Sequence, residues 1–461
     1  MSNSLSHSTA LPRTVLCALA SAIAMAACST TDHPATANAT NMAALAVAAP
    51  TDQEIVDAWS YLYARYLVLR QENHDINVEK VGYNRIKYNP LGSAQFVNPN
   101  LDVAYLEAWI AVDRDHAVIL NVPDVSKRYY TAQLLDGWGE VITNINERTF
   151  PEHPYGKFAL VIRGTNPSIP PDAVRVELPA AKAKLLARVE LKGTPNEAAR
   201  LQKQFTLDIP DGIQIDPPLT IPEFSQKDPI GVAAFDNLAT VLESYPDPMP
   251  DAPRHQATAN RVADYVKTGQ PARDRVESVV RKQAVPGFQA GLKGFGSQKG
   301  GWSVAYVTGK FGNDVMARDI IDYGGLWANS SDEALYFVGQ TSDTGQLLNG
   351  DRTYEIRFPR GDKPDGHVNA FWSVTMYSLP DYRVVPNPGK RYNINNQSKL
   401  KPNTDGSTSI WLAPKLPPHV PASNWLPTPP GKGISLNFRM YRPKQDVLDG
   451  NWFPPPIKQL D

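Results

Sequence analysis

Asn100, Asp102 and Tyr105 stand at the start of an apolar run, Asp102-Val-Ala-Tyr-Leu-Glu-Ala-Trp-Ile, where no local need for them is obvious. A carboxylate near a phenol and an arginine can carry out acid–base chemistry without a metal. Side chains on a strand alternate between faces, so Asn100 and Asp102 share one face and Tyr105 takes the other. An Asn-x-Asp at a strand start also closes an Asx-type turn, in which the amide serves the backbone and not a ligand. Arg128 and Tyr130 share a face of the run Arg128-Tyr-Tyr-Thr-Ala-Gln-Leu-Leu, and Asp136 follows eight residues after Arg128. Eight extended residues cover roughly 27 Å, so these two pair only if the chain turns between them. An ion pair to a different carboxylate is the simpler role for Arg128. Asp102, Tyr105, Arg128 and Asp136 are the catalytic candidates, and Asn100 and Tyr130 are candidates for holding a ligand.

A second set lies in Phe371-Trp-Ser-Val-Thr-Met-Tyr377. Trp372, Val374 and Met376 make one bulky apolar face, while Phe371, Ser373, Thr375 and Tyr377 make a mixed aromatic and hydroxyl face. Lining a cavity, the mixed face would suit a sugar or aromatic ligand, by stacking and hydroxyl contacts. Packed on another sheet, it is core. Trp372 and Tyr377 are the ligand candidates of this strand.

Other chemistries find little support. There is no Gly-x-Ser-x-Gly elbow, and Gly294-Phe-Gly-Ser-Gln-Lys-Gly300 lacks the Gly-Lys-Ser/Thr of a phosphate loop; its glycines most simply end a helical region. Apart from His7 and His33, the histidines are His74, His116, His153, His255, His367 and His419, none paired at metal-ligand spacing. Neither a metal nor another cofactor is expected. The net charge of −1 and the lack of basic, aromatic-interleaved patches argue against nucleic acid.

The length of 461 residues suggests two or three domains, and 42% hydrophobic with 20% charged residues is ample for a core. The 41 prolines and 30 glycines predict short strands and many turns. Thr51-Asp-Gln-Glu54 is a capping box, and Ile55, Trp59, Leu62, Tyr63, Tyr66 and Leu67 predict a helix packing one aromatic stripe. Strands are expected at 102–110, 116–122, 128–135 and 157–162, then again at 334–338, 353–358, 370–377, 407–412 and 434–441. Close spacing argues for an antiparallel sandwich or barrel. The stretch from about 178 to 295 reads as helical, including Ala180 to Leu191, Pro195 to Phe205, Pro229 to Glu243, Pro253 to Thr268 and Pro271 to Arg281.

The amino end carries an address. Arg13 precedes an apolar stretch from Val15 to Met25 that is too short to cross a bilayer, and Met25-Ala-Ala-Cys28 follows. This order resembles a lipoprotein signal, in which Cys28 takes a diacylglycerol, with palmitate among its usual acyl chains. Cys17 would leave with the signal, so a body free of disulfides is expected. Ser29 to Pro50 reads as a flexible tether. Ser29 after the cysteine resembles the outer-membrane sorting choice, so a bacterial outer-membrane lipoprotein facing the periplasm is expected, with the membrane as partner through Cys28.

Two segments carry a wider resemblance. The first joins Asn98-Pro-Asn-Leu-Asp-Val-Ala-Tyr105, Arg128-Tyr-Tyr and Leu135-Asp-Gly-Trp138. The second joins Trp327-Ala-Asn, Leu348-Asn-Gly-Asp-Arg-Thr-Tyr, Phe371 to Tyr377, Arg391-Tyr392, Asp405-Gly-Ser, Asn424-Trp-Leu-Pro427 and Arg439-Met-Tyr-Arg-Pro443. Together they resemble the domains of unknown function DUF1254 and, after it, DUF1214, over most of 51–461. Asn98 and Val103 depart from the arginine and threonine usual in the first. The resemblance implies a mainly β fold, two jelly-roll-like antiparallel sandwiches in tandem with helices between, and it implies no activity. It adds Trp138, Arg391 and Trp425 as ligand candidates. The implied order is signal 1–28, tether 29–50, first sandwich with its leading helix 51–180, helical connection 181–325 and second sandwich 326–461.

Three functions fit. A binding module for a small molecule or glycan, in an inter-domain or sandwich pocket, fits the aromatic strands and the missing catalytic signature best. A metal-independent hydrolase or lyase would use Asp with Tyr or Arg. A structural or assembly protein of the envelope, whose stacked sandwiches would build a homo-oligomer, is the third.

Overall fold

The computed structural model describes residues 48–91, 100–387 and 389–461. The expected signal, Cys17, Cys28, most of the tether and Asn98 lie outside the described residues. The helix α1 (Asp52–Asn73) opens the body, and its capping box is formed: Thr51 Oγ1 accepts from the Glu54 amide at 3.2 Å, and Glu54 Oε2 accepts from the Thr51 amide at 2.8 Å. One aromatic stripe understates its packing. Every residue from Tyr61 to Leu69 is buried, so the helix is covered on all sides.

The first sandwich follows, with β1 (Lys87–Tyr88), β2 (Val103–Ala111), β3 (Val118–Val122), β4 (Tyr130–Leu135), β5 (Val141–Ile145), β6 (Gly156–Ile162), β7 (Ala173–Leu178), β8 (Lys182–Glu190), α2 (Pro195–Gln202) and β9 (Thr206–Asp208). One sheet runs β1-β2-β8-β4-β5 and the other β7-β6-β3-β9. Ala104, Leu106, Ala108 and Ile110 of β2 and Leu185, Ala187 and Val189 of β8 point inward to meet Leu120, Phe158 and Leu160. Next come α3 (Leu238–Glu243), α4 (Ala252–Val266), α5 (Gln270–Val279) and α6 (Val285–Gly294). They close around α1 in a core that includes Trp59, Tyr63, Val262, Val276 and Phe288.

The second sandwich is built from β10 (Ser297–Lys299), β11 (Trp302–Val304), β12 (Ala334–Gly339), β13 (Tyr354–Phe358), β14 (Trp372–Ser378), β15 (Asn393–Asn395), β16 (Thr408–Ala413), β17 (Trp425–Pro427), β18 (Ile434–Tyr441) and β19 (Lys458–Gln459). Its sheets run β10-β11-β12-β18-β14-β15 and β17-β16-β13-β19. Between β11 and β12 the chain forms α7 (Val315–Gly325), which packs on α1, and a short α8 (Gln445–Leu448) follows β18.

Two expectations are corrected. Helix and strand each take 26% of the chain, so the protein is mixed α/β with sandwich-like sheets, not mainly β. Its prolines do not oppose helix: α2, α4, α5 and α6 each place one in the first turn, where the missing amide costs nothing. The second concerns Ala180 to Leu191, read as a helix from its alanines, lysines and leucines. It holds the central strand β8, paired with β2 on one side and β4 on the other. Intrinsic propensity is a weak preference, and a two-residue alternation buried between neighbours overrides it.

Candidate binding site at the seam between the sandwiches

The outer face of the β1-β2-β8-β4-β5 sheet meets the outer face of the six-stranded sheet. Val103 and Tyr129 from the first pack with Ala334, Phe371 and Tyr441 from the second. Phe371 stacks on Tyr441 at 4.2 Å, and Tyr129 meets them at 5.7 and 5.1 Å. Behind β14, Trp372, Val374 and Met376 fill the sandwich core, so the mixed face of Phe371, Ser373, Thr375 and Tyr377 looks onto the other domain. Trp372 is therefore removed from the ligand candidates: alternation turns its ring into the core.

The seam is rich in buried polar groups. On β8, Lys184 is held by two carboxylates, Asp75 at 2.9 Å and Glu107 at 2.7 Å. Four residues on, Arg188 has no ion pair among the described residues. It donates to Gln133 Oε1 at 2.5 Å, to Asn329 Oδ1 at 3.3 Å and to the Trp327 carbonyl at 3.4 Å, and it lies over the Tyr105 ring at 5.4 Å. Burial works against its charge, but the phenols of Tyr105, Tyr336, Tyr129 and Tyr441 outweigh that and hold the guanidinium above its usual range. Across the seam, Arg439 donates to Thr375 Oγ1 at 3.1 Å and to the Tyr377 hydroxyl at 2.9 Å.

Asp102 ties the two sandwiches together. Its Oδ1 accepts from Asn393 Nδ2 at 2.6 Å and from Asn395 Nδ2 at 2.8 Å, both on β15. Asn100 does two jobs: its Oδ1 accepts from the Asp102 amide at 2.9 Å, which is the Asx turn, and its Nδ2 donates to the Tyr441 hydroxyl. Burial pushes the Asp102 and Glu190 carboxyls up from the usual carboxylate range.

Two clefts open along the seam, with walls from both sandwiches. The larger, about 400 Å³, takes Arg128, Tyr129, Tyr130 and the half-exposed Tyr155 from the first, and Asn369, Ala370 and Arg442 from the second. The smaller, about 170 Å³, takes Asp102 and Leu191 from the first, and Phe371, Asn393, Asn395 and Asn396 from the second. Glu190 and Lys192 line both.

Among the expected site residues, Asn100, Asp102, Tyr105, Arg128, Tyr130 and Tyr377 thus gather at the seam. Arg128 binds the carbonyls of Glu190 and Leu191 and the Thr194 hydroxyl, an anchor for the loop after β8 rather than an ion pair. Tyr130 turns its ring into the first core and its hydroxyl to the Pro154 carbonyl. Arg391 and Trp425 lie apart from both clefts, bound to the carbonyls of Ala422 and Ser423 and of Ala413. Asp136 and Trp138 belong to a separate buried cluster in the β4–β5 turn. There Asp136 Oδ1 accepts from the Trp138 and Glu140 amides, both at 2.8 Å, and the Arg318 guanidinium lies 4.7 Å from the Trp138 ring. Among the described residues, no group of three or more His, Cys, Asp or Glu side chains is placed to hold a metal ion.

Sequence reasoning missed Arg188, Glu190, Asn393 and Asn395. The first two were hidden by reading β8 as a helix; the alternation Ala183, Leu185, Ala187, Val189 was the available signal. Asn393 and Asn395 sit on a three-residue strand that carries no comparable pattern.

Residues 80–209 match the family described as Protein of unknown function (DUF1254), and residues 333–445 match Protein of unknown function (DUF1214). The chain belongs to the proteins that carry these two domains in tandem, in that order. Asp102, Arg188 and Glu190 fall in the first matched segment and Asn393, Asn395 and Arg439 in the second, so the seam joins the two domains. Among solved structures, the VPA0106 protein from Vibrio parahaemolyticus is similar in fold: 20% identity, 89% of this chain and 100% of that chain covered, TM-score 0.67. An uncharacterized protein from Burkholderia cenocepacia, 12% identical over 89% of this chain and 95% of its own, has a TM-score of 0.40, too distant to inform the fold. No curated protein matches the chain.

Proposed function

We propose that the protein binds a small polar molecule at the seam between its two domains, and that it does so as a lipoprotein of the bacterial envelope. The observation that carries the binding role is the pair of adjoining clefts that share Glu190 and Lys192 and draw their walls from both sandwiches. A junction serving only to hold two domains together is most simply sealed by apolar side chains, because buried polar groups cost free energy unless each finds a partner. Here Tyr129 Oη, on a residue that lines the larger cleft, is buried without one. Aromatic and hydrogen-bonding groups around a concave site are what a small polar ligand needs. On the fold, the same reading treats each sandwich as jelly-roll-like, supported by the crossed orders β2-β8-β4 and β12-β18-β14.

The test is a thermal-shift screen of the purified full-length protein against sugars, peptidoglycan fragments and aromatic acids. A ligand that prefers the folded state raises the melting temperature. The expected result is a reproducible rise with one chemical class, lost in Tyr155→Ala, a change at a half-exposed position that leaves the fold intact. No rise with any compound would remove the binding role.

The address rests on Met25-Ala-Ala-Cys28. Cys28→Ser is expected to move the protein from the membrane fraction to the soluble fraction on cell fractionation. Retention of this variant in the membrane would overturn the anchor.

A further inference from the structure

We infer that the smaller cleft is a subsite for a sugar or other polyol, in which Asp102 and Asn396 bind adjacent hydroxyl groups; this rests on the binding role proposed above and names its ligand class. Asp102 is buried, and its two oxygens are used unequally. Oδ1 already accepts from Asn393 and Asn395, whereas Oδ2 has no hydrogen-bond partner; the Ser373 hydroxyl and the Arg439 guanidinium are the other groups that act on the carboxyl. A buried carboxyl oxygen left in that state favours a donor from a ligand, and a hydroxyl donating to a carboxylate makes one of the stronger hydrogen bonds available. Asn396 Oδ1, a second wall of the same cleft, is also buried without a partner. Two residues of the cleft wall thus each keep an acceptor that no group of the protein uses, with amide N–H groups beside them. A hydroxyl is both donor and acceptor, so a run of hydroxyls on one ring matches that mixture.

Charge narrows the choice. An anionic ligand would meet both Asp102 and Glu190, and the cation on the wall, Lys192, is turned to the Lys127 carbonyl. A full cation would have to leave water for the same buried site, which costs more than placing a neutral hydroxyl there. Phe371, Leu101 and Leu191 supply apolar wall for the C–H face of a ring. The volume, about 170 Å³, suits a single ring. The larger cleft continues from the shared Glu190 and Lys192 towards Tyr155, whose half-exposed ring is placed for stacking a further unit.

The experiment is saturation-transfer NMR on the purified full-length protein. The probes are glucose, galactose, mannose, ribose and N-acetylglucosamine, with ethylamine and acetate as charged controls at the same millimolar concentration. The expected result is binding of at least one sugar, weakened about tenfold or more in Asp102→Asn and in Asn396→Ala. Asn396→Ala removes only a partly exposed side chain, so it keeps the test open should Asp102→Asn fail to fold. Sugar binding that both variants leave intact overturns the inference, as does Asp102-dependent binding of ethylamine or acetate without any sugar. If no sugar binds while another compound stabilises the protein in a Tyr155-dependent way, the inference fails and the binding role stands. Silence from every probe and every library compound removes both.

Discussion

Arg318→Met is expected to destabilise the protein by about 3–5 kcal/mol, the cost typical of leaving one member of a buried ion pair alone. Arg318 and Asp247 are both fully buried and pair at 2.9 Å, and the same guanidinium lies against the rings of Trp138 and Tyr61. It also serves a set of carboxyls that have few other cations. Asp319 has one oxygen on the Ala64 amide and the other without a partner, and Asp322 has neither oxygen partnered. Methionine keeps much of the volume but not the charge. Denaturant titration of wild type and variant measures the difference; a loss under about 1 kcal/mol would show that the carboxyls around Arg318 are already neutral and need no cation.

The pH dependence of the same cluster follows. Burial pushes the Asp136 carboxyl up to about 7, with Glu140 adding to the rise, against the pull of the Glu140 and Trp138 amides. The folded pKa therefore lies above the unfolded one, and the folded protein keeps a proton that the unfolded chain releases. The resulting stability is complete below the ordinary carboxylate value of 3.8 and is lost as pH rises through about 7. Wild type should accordingly melt lower at about pH 8 than at about pH 5, and Arg318→Met should widen that gap because its loss raises the neighbouring carboxyls further. Equal melting temperatures at the two values would contradict the proton held at Asp136.

Gly139→Ala is expected to cost about 2–4 kcal/mol. Gly139 has φ +85°, a left-handed backbone that costs a residue with a Cβ about 1 kcal/mol. The added Cβ would also sit 2.2 Å from Asp322 Oδ2 and 2.4 Å from Oδ1, and Asp322 is buried with little room to swing away. Overpacking of this kind costs a further 1–3 kcal/mol, roughly. The double variant Gly139→Ala, Asp322→Ala separates the two contributions: the overpacking part should disappear and the backbone part remain. A double variant no more stable than the sum of the singles would place the whole cost in the backbone.

Where one strand decides its own structure, its sequence was readable. The alternation of Phe371 to Tyr377 divides an apolar face from a mixed aromatic and hydroxyl face, without saying which of them meets the other sandwich, and Thr51 with Glu54 marks the start of α1. The tandem order came from many matched words along the chain. What stayed hidden depended on partners distant in sequence. Ala180 to Leu191 favours helix by residue type against the alternation of Ala183, Leu185, Ala187 and Val189, and the pairing with β2 and β4 decides for the strand. The bond from Asn393 to Asp102 spans 291 positions, and nothing local to either residue foretells it. Trp372 stands on the apolar face with Val374 and Met376, and such a face is core or ligand platform according to whether another sheet covers it.

The covered state of α1 bears on how the chain is made. This helix is synthesised first, yet it is completed by segments that appear much later: the Trp59 indole donates to the Ile230 carbonyl, 171 positions on, and the Ala64 amide to Asp319, 255 positions on. Until those segments arrive, a nascent chain carries the unbroken stretch from Tyr61 to Leu69 with nothing to shield it. Contacts this distant slow folding, because large loops must close before they are rewarded. The helix cannot reach its final packing until the chain has been made as far as Asp319, and its apolar side chains are an aggregation hazard until then.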